Sequence, residues 1–421
     1  MQNLNGVRAP EISGEAGRFV NAVDSLRMTI DTSMGTVQSA HDATHKELDA
    51  YIARYADTTE RGGQEYIRIR SHDHCHDYHL LRLERDKLHA AQRILPQSFL
   101  VALVSRFNAL VGGLVRALFR LKPEALKSSE RTFTFAELSR FESMESAREF
   151  ILEKEVETLL RKSHTEQFDW LENRFDIKLR EGLPAWPTFV EITERRNLCV
   201  HAVGVVSSQY IAKCSAEHFE LPGDLALGEV LYVDGPYFGK ACDTICEIGV
   251  KLAQVLWRKV APHESEQADI SLKEISLDAI EQKRYELAKA LLDFASTTLS
   301  KRHATEEWRL IFLVNRALAC SLNGEQKRCA EILAGQDWSA VSDDLRLAES
   351  VLSERFEESF RLMKKIGANG DIPKGHYLHW PLFGGLRRSP LFTKTIKEIF
   401  GNDTHEEKLP TEDRTYGEKT N

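Results

Sequence analysis

Apolar residues recur every three or four positions along most of the chain, which is the spacing of an amphipathic helix. The first such run covers residues 17–56 and includes Phe19, Val23 and Ile30. A second run reaches about Leu121, where Lys122-Pro123 ends it, because proline cannot continue a helix interior. Helical spacing also dominates between about residues 143 and 260. The pattern therefore predicts an all-α fold.

Beyond residue 270 the pattern changes to short helix pairs. Residues 306–322 predict one helix, and the segment QKRCAEILAG predicts a second helix directly after a Leu-Asn-Gly-Glu turn. The segment DLRLAESVLSERFEESFRLMKKIG, at residues 344–367, predicts another pair. The close alanines, the turn and the amphipathic second helix resemble tetratricopeptide-like units, and residues 376–401 look like the capping segment of such an array. This resemblance implies a C-terminal helical repeat domain.

The polar segment APHESEQAD, at residues 261–269, is the predicted linker between two domains. We therefore expect an N-terminal helical region at 1–94, a helical bundle at 95–262 and the repeats at 263–401. The end of the chain, 402–421, is polar and is expected to be disordered.

Composition places the chain among ordinary globular proteins. Its 421 residues are too many for one compact core, and 42% are hydrophobic while 29% are charged. The net charge of −8 argues against a protein that wraps its whole surface in nucleic acid, but it leaves room for a small basic site. Seven cysteines, an odd number, indicate reduced thiols.

The same features indicate a cytoplasmic protein with no membrane partner. The start of the chain has no basic region followed by an apolar stretch, so we expect no signal peptide. The most apolar segment, PQSFLVALVSRFNALVGGLVRALF, is interrupted by Arg106, Asn108 and Arg116. Because an arginine near the centre of a membrane span is costly, we expect a buried helix of a globular core.

The candidate chemistry lies in the segment ERRNLCVH, at residues 194–201. Asn197 and His201 are four positions apart and share one helix face, whereas Arg196 lies about 140° away from His201 around the helix. One chain therefore holds half a site, which a second antiparallel copy of the helix would complete across a two-fold axis.

These residue types suit the cleavage of RNA, whose 2′-hydroxyl is a nucleophile next to the scissile phosphate. A histidine takes a proton from that hydroxyl or gives one to the leaving oxygen. The Arg196 guanidinium matches phosphate oxygens, and Asn197 can hold the imidazole or a phosphate oxygen in place. This chemistry requires no metal and no cofactor. Arg195 adds a second basic group, a candidate for RNA binding whose role the pattern does not fix.

The motif resembles that of the HEPN superfamily, an arginine and a polar residue followed at a short distance by a histidine. Arg196, Asn197 and His201 match it, and the flanking segments between about residues 95 and 260 resemble the consecutive core helices of a bacterial branch. The resemblance implies a HEPN-like bundle at 95–262 that acts as a dimeric, metal-independent endoribonuclease, often in toxin or phage-defence systems. The C-terminal repeats would then bind a regulator protein.

Two alternatives stay open at this point. A HEPN-like dimer can serve as a non-catalytic adaptor that binds RNA or a partner protein. The stretch SHDHCHDYH also places His72, His76 and His79 on one helix face, where they would either hold a transition metal or form a solvated surface.

Overall fold

The computed structural model describes residues 11–61, 64–123, 134 and 139–401. Within these residues the protein is built of helices, with a single two-stranded antiparallel sheet, so the predicted all-α class is confirmed. The expected disordered tail at 402–421 lies outside the described residues. The chain divides into two compact units, residues 1–308 and 309–421.

The elements of the first unit are α1 (Glu11–Tyr55), β1 (Ala56–Arg61), β2 (Gln64–Ile69), α2 (His72–Leu121), α3 (Met144–Leu160), α4 (His164–Phe175), α5 (Trp186–Ala202), α6 (Ser208–Ala216), α7 (Gly235–Val260), α8 (Ser265–Glu281) and α9 (Tyr285–Ser296). Helix α10 (Glu306–Leu322) begins at the end of this unit, and the second unit continues with α11 (Gln326–Ala334), α12 (Asp343–Leu352), α13 (Phe356–Ile366), α14 (Lys374–His379) and α15 (Pro390–Phe400). Short 3₁₀ turns lie at Pro262–Glu264, Pro381–Gly384 and Leu386–Arg388.

Two long helices, α1 and α2, form an antiparallel hairpin whose tip is the β1–β2 sheet, with Ala56 opposite Ile69. Apolar residues keep helical spacing up to the tip on both sides. For this reason the sequence pattern did not predict the two strands. Helix α2 contains Pro96 in its interior. Before Pro96 no described residue of α2 is buried, whereas from Leu100 to Phe119 most residues are buried. The hairpin thus has an outer arm and an inner half that belongs to the core.

The core of the first unit forms where α1, α2 and α7 meet. Phe19 of α1 lies edge-to-face against Phe107 of α2, with ring centroids 6.3 Å apart. Gly249 of α7 allows this close approach, because a Cβ atom there would lie 2.4 Å from the Phe19 ring. The apolar part of α2 is long and apolar enough to cross a membrane by length and composition alone, and 56% of it is buried inside the protein. Core helices of globular proteins pass the same test.

The linker predicted at 261–269 is wrong. These residues form a 3₁₀ turn and the start of α8, and Asp269 is fully buried. Its carboxylate accepts hydrogen bonds from Arg258 Nη2 at 2.7 Å, from His303 Nδ1 at 2.7 Å and from the Ala304 amide at 2.9 Å. The segment looked like a linker because two partners of its buried carboxylate, His303 and the Ala304 amide, lie 34 and 35 residues further along the chain. Helices α8 and α9 therefore belong to the first unit.

A second ion pair cluster ties the same helices to the hairpin. Arg284, which is 4% exposed at its side chain, pairs with Asp24 of α1 and Asp243 of α7. A chain that ended near residue 262 would leave Arg258, Asp24 and Asp243 without these partners. The boundary between the two compact units instead lies at 308/309.

The helix pairs predicted beyond residue 270 are present, and three of them share one turn geometry. After α8, α10 and α12 a residue adopts positive φ, namely Lys283 (60°), Gly324 (82°) and Glu354 (57°). In each turn the next amide donates to a carbonyl five residues back, as in Arg284 to Ala279 and Arg355 to Ser350. This is the Schellman ending of a helix. The pairs are alike in local structure, and their membership of the tetratricopeptide class stays a prediction.

We expect Asp269→Ala to lower the free energy of unfolding by about 3–5 kcal/mol, because it removes the buried carboxylate that pairs with Arg258 and accepts a hydrogen bond from His303. Denaturant unfolding followed by tryptophan fluorescence measures the change. Glu266→Ala, at an exposed position of the same helix, is the control and should change stability by less than about 0.5 kcal/mol. Equal stability of the two variants would mean that the Asp269 cluster does not hold α8 in place.

Candidate active site

The motif occupies the last two turns of α5. Pro187 lies in the first turn, where its missing N–H costs no hydrogen bond. Phe189 and Ile192 then anchor the helix in the core, with exposures of 0% and 1%. The helix ends at Val203, which adopts a left-handed conformation with φ 51°. The motif therefore lies where the helix leaves the core.

Arg196 is half-buried and has no hydrogen bond at its Nε atom. Burial lowers the pKa of its guanidinium, and the neighbouring Glu194 carboxylate only partly offsets this. The side chain makes no ion pair with any described residue. An unpaired, partly desolvated guanidinium interacts strongly with an incoming anion.

Asn197 and His201 lie on one face of α5, as the spacing predicted. Asn197 makes a long hydrogen bond of 3.4 Å from Nδ2 to Glu194 Oε2. His201 is exposed one turn later and has no hydrogen bond to the described residues. Arg196 does not lie on this face, so the protomer does not bring all three residues into one cleft.

Arg195 has a different environment from the one expected. Its Nε donates to Glu191 Oε1 at 2.6 Å, its Nη1 donates to the Tyr232 carbonyl at 3.1 Å, and its guanidinium lies 4.1 Å from the centroid of the Tyr237 ring. Burial alone would lower the pKa of Arg195, but Tyr237 and Glu191 outweigh this effect and raise it. These contacts argue against the RNA-binding role suggested for Arg195, since its guanidinium is already occupied.

The partner of Arg195, Glu191, is a carboxylate with 1% exposure inside the core. Besides Arg195 it accepts hydrogen bonds from the Tyr210 hydroxyl at 2.8 Å and from the Tyr237 hydroxyl at 2.9 Å. Because Tyr210 lies on α6 and Tyr237 on α7, the carboxylate fixes three helices to one another. Sequence reasoning missed this role, although Glu191 and Arg195 stand at the i,i+4 spacing of a helical ion pair.

His164, the first residue of α4, is a second residue that the sequence analysis missed. It is 7% exposed, lies among the rings of Phe107 and Phe189, and places Nε2 3.0 Å from Asn108 Oδ1. Burial, together with the positive charge of Arg196, lowers the pKa of His164 to about 3. Arg196 thus faces a neutral imidazole instead of a carboxylate. No sequence signal marks this neighbour, which lies 32 residues before the motif.

Exposed apolar side chains surround the end of α5. Val200, Val203 and Tyr232 are 48%, 67% and 58% exposed. The segment after the helix is held in place, because Leu231 N donates to Gly204 O and Val206 N donates to Glu229 O. Val203 is β-branched and exposed, yet it occupies a backbone conformation that glycine adopts without strain. We call Val200, Val203, Val205 and Tyr232 the α5 patch.

The remaining chemical groups do not form a metal site in the part of the chain that the structure describes. No cluster of three or more histidine, cysteine or carboxylate side chains there can hold a metal ion. His72, His76 and His79 are exposed on the outer arm of α2, as in the solvated-surface alternative. Burial raises the pKa of the Cys246 thiol to about 12, which makes it a poor nucleophile.

We expect the free energy of unfolding to fall more steeply in the wild type than in a variant without the His164 imidazole as the pH decreases below 6.5. The folded-state pKa of about 3 lies below the unfolded value, so the unfolded chain binds the extra proton between pH 6.5 and 3. Stability then falls by about 1.4 kcal/mol for each pH unit as the pH decreases through this range. Urea unfolding at pH 7 and pH 5 measures the difference between wild type and His164→Gln.

The exposed His263→Gln is the matched control and should follow the wild-type pH dependence. Identical pH dependence in His164→Gln and wild type would show that the imidazole is not held neutral in the folded protein.

No protein-family model matches the chain, and no curated protein or solved structure matches it. The likeness to the HEPN superfamily therefore rests on the residues of the motif and its flanks. Any activity of the motif depends on the geometry of α5 and its neighbouring helices.

Proposed function

We propose that the protein is a metal-independent endoribonuclease of HEPN type that works as a homodimer in the cytoplasm. The observation that carries the proposal is the state of the motif: Arg196 and His201 have no polar partner among the described residues, whereas the adjacent Arg195 is fully engaged. A guanidinium and an imidazole that are both free on one helix suit the binding and cleavage of an external phosphate ester. RNA is such a substrate, and it supplies its own nucleophile.

In this mechanism His201 transfers protons and Arg196 stabilises negative charge on the phosphate. One His201 imidazole takes the proton of the 2′-hydroxyl, whose oxygen attacks phosphorus and expels the 5′-oxygen of the next nucleotide. A protonated imidazole supplies the proton to that leaving oxygen, so the products are a 2′,3′-cyclic phosphate and a free 5′-hydroxyl. The guanidinium of Arg196 stabilises the negative charge on the non-bridging oxygens, and Asn197 orients the imidazole or a phosphate oxygen.

The reaction needs two imidazoles, and Arg196 lies away from the helix face that carries His201. Both facts support a site shared between two copies. The α5 patch suits such a contact, because exposed apolar groups next to polar ones mark protein interfaces. Val203 adds support, since an exposed valine in left-handed geometry costs about 1–2 kcal/mol, and a contact with a second copy would help to offset this cost. The described part of the second unit, residues 309–401, carries no residue set that we assign to catalysis, and we propose that this unit binds a regulator protein.

Changing Arg196 or His201 to alanine should abolish RNA cleavage while folding and dimerisation persist. Each change removes one role in the transition state, so the rate should fall by about 10² or more. Cleavage of cellular RNA by the purified protein, with end-group analysis, measures this. The wild-type reaction should continue in excess chelator, and expression of the wild type should be toxic to cells that tolerate the variants.

Two controls separate this result from general damage. His263→Ala and Arg361→Ala change exposed residues of the same types outside the motif and should cleave normally. Products with 3′-hydroxyl ends, or loss of activity in chelator, would contradict the metal-free mechanism. A dimer that binds RNA without cutting it would instead favour the non-catalytic adaptor.

Val203→Gly should weaken the dimer and stabilise the isolated protomer. Glycine relieves the left-handed strain but removes the apolar side chain from the α5 patch, so the protomer should gain up to about 1 kcal/mol. Light scattering over a concentration series measures dimerisation, and urea unfolding at low concentration measures protomer stability. Val200→Ala, which trims the same patch without touching a strained position, should weaken the dimer with no gain in stability. Unchanged dimerisation in both variants would place the interface elsewhere.

A further inference from the structure

A pocket that borders α5 lies away from the motif, at the other end of the helix. It has a volume of about 470 Å³ and lies between the 178–185 connection, the start of α5, one face of α7 and helix α9. This volume is within the range of small-molecule sites. None of Arg196, Asn197 and His201 lines it. We call it the α7 cleft.

One end of the α7 cleft presents donors that the protein itself does not use. Thr244 is 7% exposed and its hydroxyl makes no hydrogen bond with any described residue, although it lines the cleft. Lys240, one turn earlier on α7, also lines the cleft and has no ion pair in the described part of the chain. Because Thr244 is otherwise buried, its unused hydroxyl is left for a group that enters the cleft.

The start of α5 adds a third donor at the same place. The helix has no side-chain cap at Ala185, and Pro187 has no N–H. The Trp186 amide donates to Leu183 O and the Phe189 amide donates to Ala185 O, which leaves the Thr188 amide without an acceptor among the described residues. Thr188 lines the α7 cleft and, together with Lys240, a neighbouring cavity of about 200 Å³. Free amides at a helix N-terminus attract anionic oxygens.

The rest of the cleft is mostly apolar, and its other two lysines are already paired. Its apolar lining comes from the side chains Phe168, Leu183, Ile248, Leu252, Val255 and Phe294. Lys251 donates to Glu247 at 2.5 Å, and Lys178 pairs with Glu181 at 2.7 Å. These two carboxylates and Asp293, which also lines the cleft, disfavour a ligand with several negative charges. A single carboxylate has two oxygens, which together can accept hydrogen bonds from all three free donors.

We propose that the α7 cleft binds a small organic monocarboxylate. Its carboxylate oxygens accept hydrogen bonds from Thr188, Lys240 and Thr244, and its hydrocarbon body lies on the apolar lining. Bound there, the ligand joins the start of α5 to α7 and so stabilises the helix that carries the motif. The site stands independently of the ribonuclease proposal, because none of its residues takes part in that chemistry.

Isothermal titration of the full-length protein with octanoate tests this inference, with 1-octanol as the neutral probe of the same chain length. Octanoate should bind and 1-octanol should bind at least about tenfold more weakly, since it lacks the charge that the donors recognise. Lys240→Met and Thr244→Val should each weaken octanoate binding about tenfold, while Lys327→Met, at an exposed site in the second unit, should leave it unchanged.

Three results would overturn the proposal. Octanoate that binds wild type, Lys240→Met and Lys327→Met equally would mean nonspecific association with an apolar surface. Absence of octanoate binding, or binding of phenyl phosphate in its place, would rule out a carboxylate site. Circular dichroism of Lys240→Met and Thr244→Val shows whether each variant is folded, and the two substitutions act on different groups of one site.

Discussion

The position of helix α5 depends on one buried carboxylate, that of Glu191. A charge with 1% exposure is costly to bury unless every lone pair finds a donor, and here Arg195, Tyr210 and Tyr237 supply them from three helices. Such a network is directional, unlike apolar packing, so it sets the rotation of α5 about its own axis. That rotation decides which side chains of the motif point inward and which point to solvent.

The same rotation explains why two adjacent arginines have opposite environments. Neighbouring helix positions differ by about 100°, so with Arg195 directed at Glu191, Arg196 is directed toward His164. A neutral imidazole does not neutralise a guanidinium, and Arg196 keeps its charge available. The exposed His201 and the α5 patch lie at the same end of the helix, and this arrangement is why we propose that a second copy binds there.

Much of the fold and part of the site could be predicted from the sequence. Helical periodicity located the end of α2 at Leu121, the helix pairs beyond residue 270 and the shared face of Asn197 and His201. Local patterns carry this information because helical spacing is a local property. The role of Asp269 could not be read in the same way, since its partner His303 is distant in sequence and a polar stretch with a proline is typical of a linker. The proximity of His164 to Arg196 likewise depends on how two helices pack.

The unequal burial along α2 also affects how the molecule moves. The outer arm of the α1–α2 hairpin has few buried residues, namely Thr44, Leu48 and Ala56, whereas the inner half lies in the core. Pro96 lies near the junction and removes one helical hydrogen bond there. Amide protons of the arm are therefore expected to exchange through local opening, and those beyond Leu100 only when the whole unit unfolds. Arm and core are then two cooperative units within continuous helices, so the arm can bend or fray while the inner half of the hairpin stays packed in the core.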